Sequence, residues 1–119
     1  MAQSLYERLG GTEGIRRIAS NLVDRHIANP KIGARFAGSD VATVKRHAAD
    51  FFITGSGGPE VYTGKSMLEA HHRMNISDEE YMAAVDDVMA ALSDEGIGDT
   101  EKGEVLFIFY SLRPEVVRV

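Results

Sequence analysis

Apolar side chains in this sequence return every three or four residues almost from end to end, and no stretch of useful length keeps the two-residue alternation of a half-buried strand. That period suits helices with one buried face and leaves no segment for a sheet, so the expected fold is all-α. A chain of 119 residues with 44% hydrophobic content is enough for one core, and residues 1–119 are read as a single domain. No internal repeat or low-complexity tract divides it.

Punctuation in the sequence locates the helices. Ser4-Leu5-Tyr6-Glu7 has capping-box spacing, in which the serine oxygen and the glutamate carboxylate each take an otherwise unpaired backbone N–H. The short helix it opens is expected to end at Gly10-Gly11. Thr12 is placed to cap a second helix, with Ile15, Ile18, Ala19, Leu22, Val23 and Ile27 on one stripe until Asn29-Pro30 stops it. In the turn-rich piece that follows, Phe36 lies between Gly33 and Gly38, and some other part of the molecule must receive its ring. Val41, Val44, Ala48, Phe51 and Phe52 define a third helix, with His47 on or beside the apolar face. From Thr54 to Lys65 the glycines and Pro59 oppose regular structure, and a connection that long in a small domain usually serves a site or moves. His71 and His72 fall on a short helical piece within residues 66–74. Ser77-Asp78-Glu79-Glu80 is a second capping box, opening a helix with Tyr81, Val85, Val88, Met89 and Leu92 on one side and closing before Gly96. The last helix starts at Asp99 or Thr100 and carries Val105, Ile108, Phe109, Leu112 and Val116, with Pro114 ending or kinking it near Arg113.

Charge and residue types then remove classes of function. The formal charge is -5, and the 13 basic residues are scattered among 18 acidic ones without a run or stripe, so no nucleic-acid surface is expected. The absence of cysteine excludes disulfides, thiolate metal sites and thiol catalysis, and it suits a reducing compartment. The longest strongly apolar run, Val105 to Tyr110, is too short to cross a bilayer, and MAQSLYERLGG holds no apolar signal region. The expected setting is soluble, unprocessed and cytoplasmic, with no membrane partner. The glycine-rich stretch lacks the lysine-serine ending of a P-loop and follows a helix, so phosphate binding is set aside. No acid, base and nucleophile can be grouped around one pocket from spacing alone. What stands out is the pair His71-His72, because a neutral imidazole on a short helix is a suitable axial ligand for an iron porphyrin.

Several motifs in one order extend that observation to nearly the whole chain: SLYERLGG with the following TEGI, ANPKIGARFAG, the DFF of the third helix, GGPEVYTGKSM and EAHHRMNIS. Together they resemble the group I truncated haemoglobins, the 2-over-2 globins. The resemblance implies a truncated-globin helical sandwich around haem b, with oxygen, carbon monoxide and nitric oxide as diatomic gas ligands. It implies oxygen binding or transport, with nitric oxide dioxygenase or haem redox and sensor roles as alternatives, an unidentified reductase as partner, and a monomer or weak dimer. It places the iron on His71 of the EAH element, as proximal ligand, and leaves His72 peripheral. Phe36 of the RFAG element wedges against the porphyrin, Phe51 and Phe52 match the aromatic pair of the distal helix, and Tyr62 matches the tyrosine of the glycine-rich loop. Met67, which closes the GGPEVYTGKSM motif, joins the cofactor contacts.

The departures from that pattern fall on the distal side. Many group I members carry a tyrosine on the second helix and a glutamine on the distal helix that donate hydrogen bonds to bound oxygen. The matching positions here are Val23 and Ala48, and a further distal position, Val44, is apolar too. Loss of a donor from a desolvated site typically costs about 1–3 kcal/mol, so tight retention of oxygen through a polar cage is not expected. His47 matches a position where some members hold the iron from the distal side and others set a basic residue against a propionate. The first role is favoured, with a propionate or water contact as the alternative. Lys45 and Lys65 are the candidates for the propionates. His26, which extends the stripe of the second helix, is expected to flank the core or to hydrogen-bond a neighbour.

Overall fold

A computed structural model describes residues 3–59, 61–62, 66–72 and 74–118, and among these it forms helices only. In chain order they are α1 (Leu5–Arg8), α2 (Gly11–Ala28), α3 (Val41–Gly55), α4 (Met67–His71), α5 (Asp78–Asp94) and α6 (Asp99–Leu112), with single 3-10 turns at Gly33–Phe36 and Arg113–Glu115. No strand forms among the described residues, and the isolated parallel bridge between Ile76 and Val117 ties the chain's last turn to the segment before α5. Helix α2 packs against both α3 and α5, and α5 packs against α6. This is the two-over-two helical arrangement expected from the motifs.

The apolar stripes meet as the helical period requires. Leu9, Ile15, Ile18, Leu22, Val23, Ile53, Val88, Leu92 and Val105 form the main buried cluster, with Ile15 and Leu92 fully enclosed. Each such aliphatic side chain contributes roughly 1.5–3 kcal/mol by leaving water. A second cluster of Ile76, Tyr81, Val85 and Val116 lies beside it, and Phe109 packs against both. Tyr81 also donates its hydroxyl hydrogen to the Phe109 carbonyl, so α5 and α6 are joined by a bond as well as by packing. Helix α6 is apolar on its outer side too, where Phe107 is 73% exposed and Tyr110 60%.

Local chemistry sets the helix ends, with two corrections to the sequence reading. At Ser4 only half of the capping box forms: Oγ accepts from the Glu7 N–H at 3.2 Å, while the Glu7 carboxylate takes the serine hydroxyl at 3.3 Å. Thr12 does not cap α2. That helix begins at Gly11, two residues earlier than a Thr12 cap would set it, behind Gly10 at φ 99°, and the Thr12 hydroxyl instead meets the Tyr6 hydroxyl at 2.6 Å. Direct succession of α1 and α2 through left-handed Gly10 leaves no extended residue for a threonine cap to occupy. Ser77 and Glu80 make the full reciprocal box, at 3.0 and 3.1 Å. Helix α2 stops at Asn29, and α6 gives way at Arg113 to the turn that contains Pro114.

Candidate cofactor site

Where α2, α3, α5 and α6 diverge they leave a cavity of about 410 Å³, closed further by the Gly33–Phe36 turn, Tyr62, α4 and Val116. One wall comes from α2 and α3: Leu22, Val23, Val44, His47, Ala48, Phe51 and Phe52. Another comes from α5 and α6, with Tyr81, Ala84, Val85, Val88, Phe109 and Leu112. The apolar stripes of these helices therefore serve two purposes, filling the core over part of their length and lining a space over the rest.

His71 reaches the cavity from the end of α4, and its side chain is half-buried there. Helix α4 is only five residues long, too short to persist by itself. It is held at its start by Ser66 and Glu69: the Glu69 N–H donates to Ser66 Oγ at 3.1 Å and the Ser66 N–H to the Glu69 carboxylate at 3.3 Å. This capping box fixes the turn that presents His71, and its S-x-x-E spacing stands openly in Ser66-Met67-Leu68-Glu69, although the sequence reading passed over it. His72, the next residue, is exposed and is not part of the lining.

The glycine-rich connection is drawn back over α3 by one side chain. Thr54 Oγ1 accepts from the backbone N–H groups of Val61 and Tyr62, both at 3.1 Å. Tyr62 is thereby set on the cavity wall, with its ring edge-on to Phe51 at 5.5 Å. Phe52 meets Phe109 across the cavity's floor at 5.7 Å.

Three polar side chains of the lining, Arg35, Glu80 and His26, gather on the Phe36 side. Arg35 binds the Glu80 carboxylate through Nε and Nη2, the latter at 3.0 Å, and both residues line the cavity. Arg35 together with the Ser77 N–H holds the Glu80 carboxyl down at about 2. His26 also lines the cavity; its Nδ1 lies 2.8 Å from Asp87 Oδ2, and its ring stacks on Phe36 at 5.9 Å with 20° between the planes. The ring of Phe36 thus has its receiver, in His26 and the cavity.

Of the residues singled out from sequence, the fold brings His71, His47, Phe36, Val44, Ala48, Phe51, Phe52 and Tyr62 to this one space. Lys45 is not brought there. Its ammonium pairs with Asp24 of α2 at 2.9 Å, because its position on α3 faces the α2 seam instead of the cavity. Lys65 and the side chain of Met67 lie outside the described residues. Arg35, Glu80, Asp87 and Thr54 were missed. Arg35 with Glu80 and Asp87 with His26 pair across distant parts of the sequence, and Thr54 reaches Val61 and Tyr62 across an irregular loop, so spacing alone does not reveal them.

The cavity suits a flat apolar cofactor that carries its own metal. Its volume falls in the range of ligand sites, and its lining is mostly aliphatic and aromatic. Among the described residues no three His, Cys, Asp or Glu side chains converge to hold a bare ion. A histidine ligand offered by such a wall fits a metal whose other ligands come from the cofactor itself, as a porphyrin supplies them. Residues 4–117 match the family model of the bacterial-like globins.

The chain is a bacterial-like globin.

This globin is 26% identical to the group 1 truncated haemoglobin of Tetrahymena pyriformis over 97% of its own length and 95% of the relative's. It is 27% identical to a group 1 truncated haemoglobin of Mycolicibacterium paratuberculosis, over 95% of its length and 83% of the relative's. The solved Fe(III) form of the Tetrahymena pyriformis truncated haemoglobin superimposes with a TM-score of 0.94, covering 98% of this chain and 100% of that one. The group II truncated haemoglobin of Bacillus anthracis, at 19% identity and a TM-score of 0.90, shares the fold. The globin is accordingly a haem-binding protein of the truncated 2-over-2 type.

Proposed function

We propose that this globin binds diatomic gases, with oxygen, carbon monoxide and nitric oxide as its ligand class, at the iron of haem b. His71 holds the iron on the proximal side, and His47 holds it from the distal side when no gas is present. The observation that carries this reading is the placement of His71 on α4 and of His47, Val44 and Ala48 on α3 along one apolar cavity. Haem, when bound, supplies an iron centre that takes a small gas and changes oxidation state.

The chain's own residues do the rest. The Ser66–Glu69 box orients the turn that carries His71. Phe36, Phe51 and Phe52 give the cavity walls aromatic surface for an apolar ring system to pack on. Val23, Val44 and Ala48 leave room for an uncharged diatomic ligand and offer it no hydrogen bond, which forgoes about 1–3 kcal/mol of retention. His47 is an exposed residue of α3 that also lines the cavity, so it stands where one side chain can both reach the interior and withdraw to solvent. A gas then competes with His47, and its apparent affinity falls by the fraction of pocket that is open.

Competition of this kind favours a redox or sensing role over oxygen storage or transport. Nitric oxide dioxygenase activity is the enzymatic alternative, and slow or absent nitrate formation on mixing the oxygenated protein with nitric oxide excludes it. A cytoplasmic setting with a reductase, as a monomer or weak dimer, completes the proposal; no described helix is long and apolar enough to cross a membrane. The distal assignment is tested by the visible spectrum of the dithionite-reduced protein without oxygen. Six-coordinate low-spin bands that are lost in His47→Ala are expected. A five-coordinate spectrum in the wild type returns His47 to a propionate or to solvent.

A further inference from the structure

Helix α6 reverses the usual order of a surface helix. Its charged residues Glu101, Lys102 and Glu104 are half-buried, and Arg8 binds both carboxylates. The side left exposed carries Gly103, Leu106, Phe107, Tyr110 and Ser111, at the three-and-four spacing that puts them on one stripe. Ser111 turns its hydroxyl back onto the Phe107 carbonyl at 2.9 Å, so even this side chain offers the solvent little. A helix that is apolar on both faces belongs in an interior or at an interface.

Gly103 stands in mid-helix, where glycine weakens a helix relative to alanine. Nothing among the described residues calls for it, since a Cβ added there meets no atom within 4 Å. The missing side chain leaves a shallow notch in the stripe, and Tyr110 stands two turns along on the same face. Opposite charges mark the two ends. Asp99 at the start is fully exposed, and Arg113 at the end has 44% of its side chain exposed while it holds Asp78 through Nε and Nη2.

We propose that this face of α6 pairs two copies of the chain about a two-fold axis, with the helices antiparallel and crossing between Leu106 and Phe107. An isologous contact needs one surface that complements itself. This register supplies it: Tyr110 of each copy lies over the partner's Gly103, and Phe107 meets the partner's Leu106. It brings Asp99 to the partner's Arg113, whereas a parallel pair sets like charges together at both ends, and that difference decides the orientation. The exposed fractions of Phe107 and Tyr110 leave roughly 250 Å² of ring surface open, well under the about 800 Å² per partner of a stable interface. The dimer is therefore weak and concentration-dependent. The inference deepens the monomer-or-weak-dimer part of the proposed function and does not depend on haem, although Phe109 and Leu112 of the same helix line the cavity.

Sedimentation velocity of the protein mixed with equimolar haem, from about 10 μM to about 1 mM, spans the affinities of so small a contact. The sedimentation coefficient is expected to rise from monomer toward dimer, and Phe107→Ser to weaken the association at least about tenfold. Gly103→Ala is the second variant: in dilute solution it should melt at a higher temperature than the wild type, and yet associate less. Orientation is read by cross-linking with a short bismaleimide, since the chain has no cysteine of its own. Leu106→Cys lies beside the axis and should join two copies, whereas Asp99→Cys stands roughly 20 Å from its counterpart along the helices and should not. A monomer at every concentration overturns the proposal and leaves the face to a different protein. Association unchanged in Phe107→Ser or in Gly103→Ala, or equal cross-linking at the two cysteines, overturns it as well. The visible spectrum of the same samples scores haem uptake, so a dimer without haem contradicts the haem reading alone, and a haem-bound monomer contradicts this inference alone.

Discussion

Glu80 illustrates how much one side chain carries in a domain this small. Its carboxylate caps the Ser77 N–H at 3.1 Å and binds Arg35, so the start of α5 and the turn that presents Phe36 share an anchor. These partners lower its carboxyl from the ordinary 4.5 to about 2. A lowered carboxyl contributes stability above its unfolded value and loses it as the pH falls toward the folded one. Unfolding followed by circular dichroism should therefore show a loss between pH 4.5 and about 2 that is shallower in Glu80→Gln. The difference is roughly 1 kcal/mol, because a pair this near solvent is screened; a variant with the wild-type profile would assign the loss to other carboxylates. Tyr81 behaves in the opposite sense. Burial pushes its phenol up to about 12, which keeps the hydroxyl a donor to the Phe109 carbonyl, and the folded state weakens as the pH rises from 10 toward that value. Tyr81→Phe removes this one bond and should lower the urea unfolding free energy by about 1 kcal/mol. No change would mean that the bond contributes nothing net.

At the scale of elements, the site depends on two short pieces that could not stand alone. Helix α4 has five residues, and Ser66 and Glu69 cap it. Ser66→Ala should cost about 1 kcal/mol locally and speed haem loss to an acceptor protein, with global stability nearly unchanged. Equal rates of loss in both proteins would show that the cap does not govern His71. The Gly33–Phe36 turn is confined from the other side. A Cβ on Gly33 would come within 2.3 Å of the Ile27 carbonyl oxygen, so Gly33→Ala must displace the turn that carries Arg35 and Phe36. Lower stability and weaker haem retention together are the expected outcome, and unaltered retention would show that Phe36 holds its place independently of this close approach. Long elements were legible in the sequence because a buried stripe repeats; the stops at Asn29 and near Pro114 and the box at Ser77 were readable for the same local reason. Thr12 misled because its capping chemistry was judged without its neighbour, and the adjacent glycine turn left no room for a cap.

For the whole molecule, the helical period pointed to an all-α fold, which the described residues adopt, while the cavity is a property of how the stripes diverge. The residues it gathers, from Leu22 on α2 to Val116 beyond α6, are spread over most of the chain. Motif order pointed to His71, Phe36, Phe51, Phe52 and Tyr62 because each stands in a local signature. Arg35 with Glu80, and His26 with Asp87, were hidden because each pairing joins residues 45 and 61 positions apart. Lys45 shows the converse, since a basic residue on the correct helix faced a different seam and met Asp24. The central claim is that this cavity holds haem through His71. It is tested most directly by titrating the apo-protein with haem and recording visible spectra of the wild type and of His71→Gly, with and without added imidazole. The account predicts stoichiometric uptake by the wild type, a spectrum of histidine-bound iron that His71→Gly loses, and its recovery when imidazole enters the space left by the side chain. A folded wild type that takes up no haem, or a His71→Gly spectrum identical to that of the wild type, would contradict it.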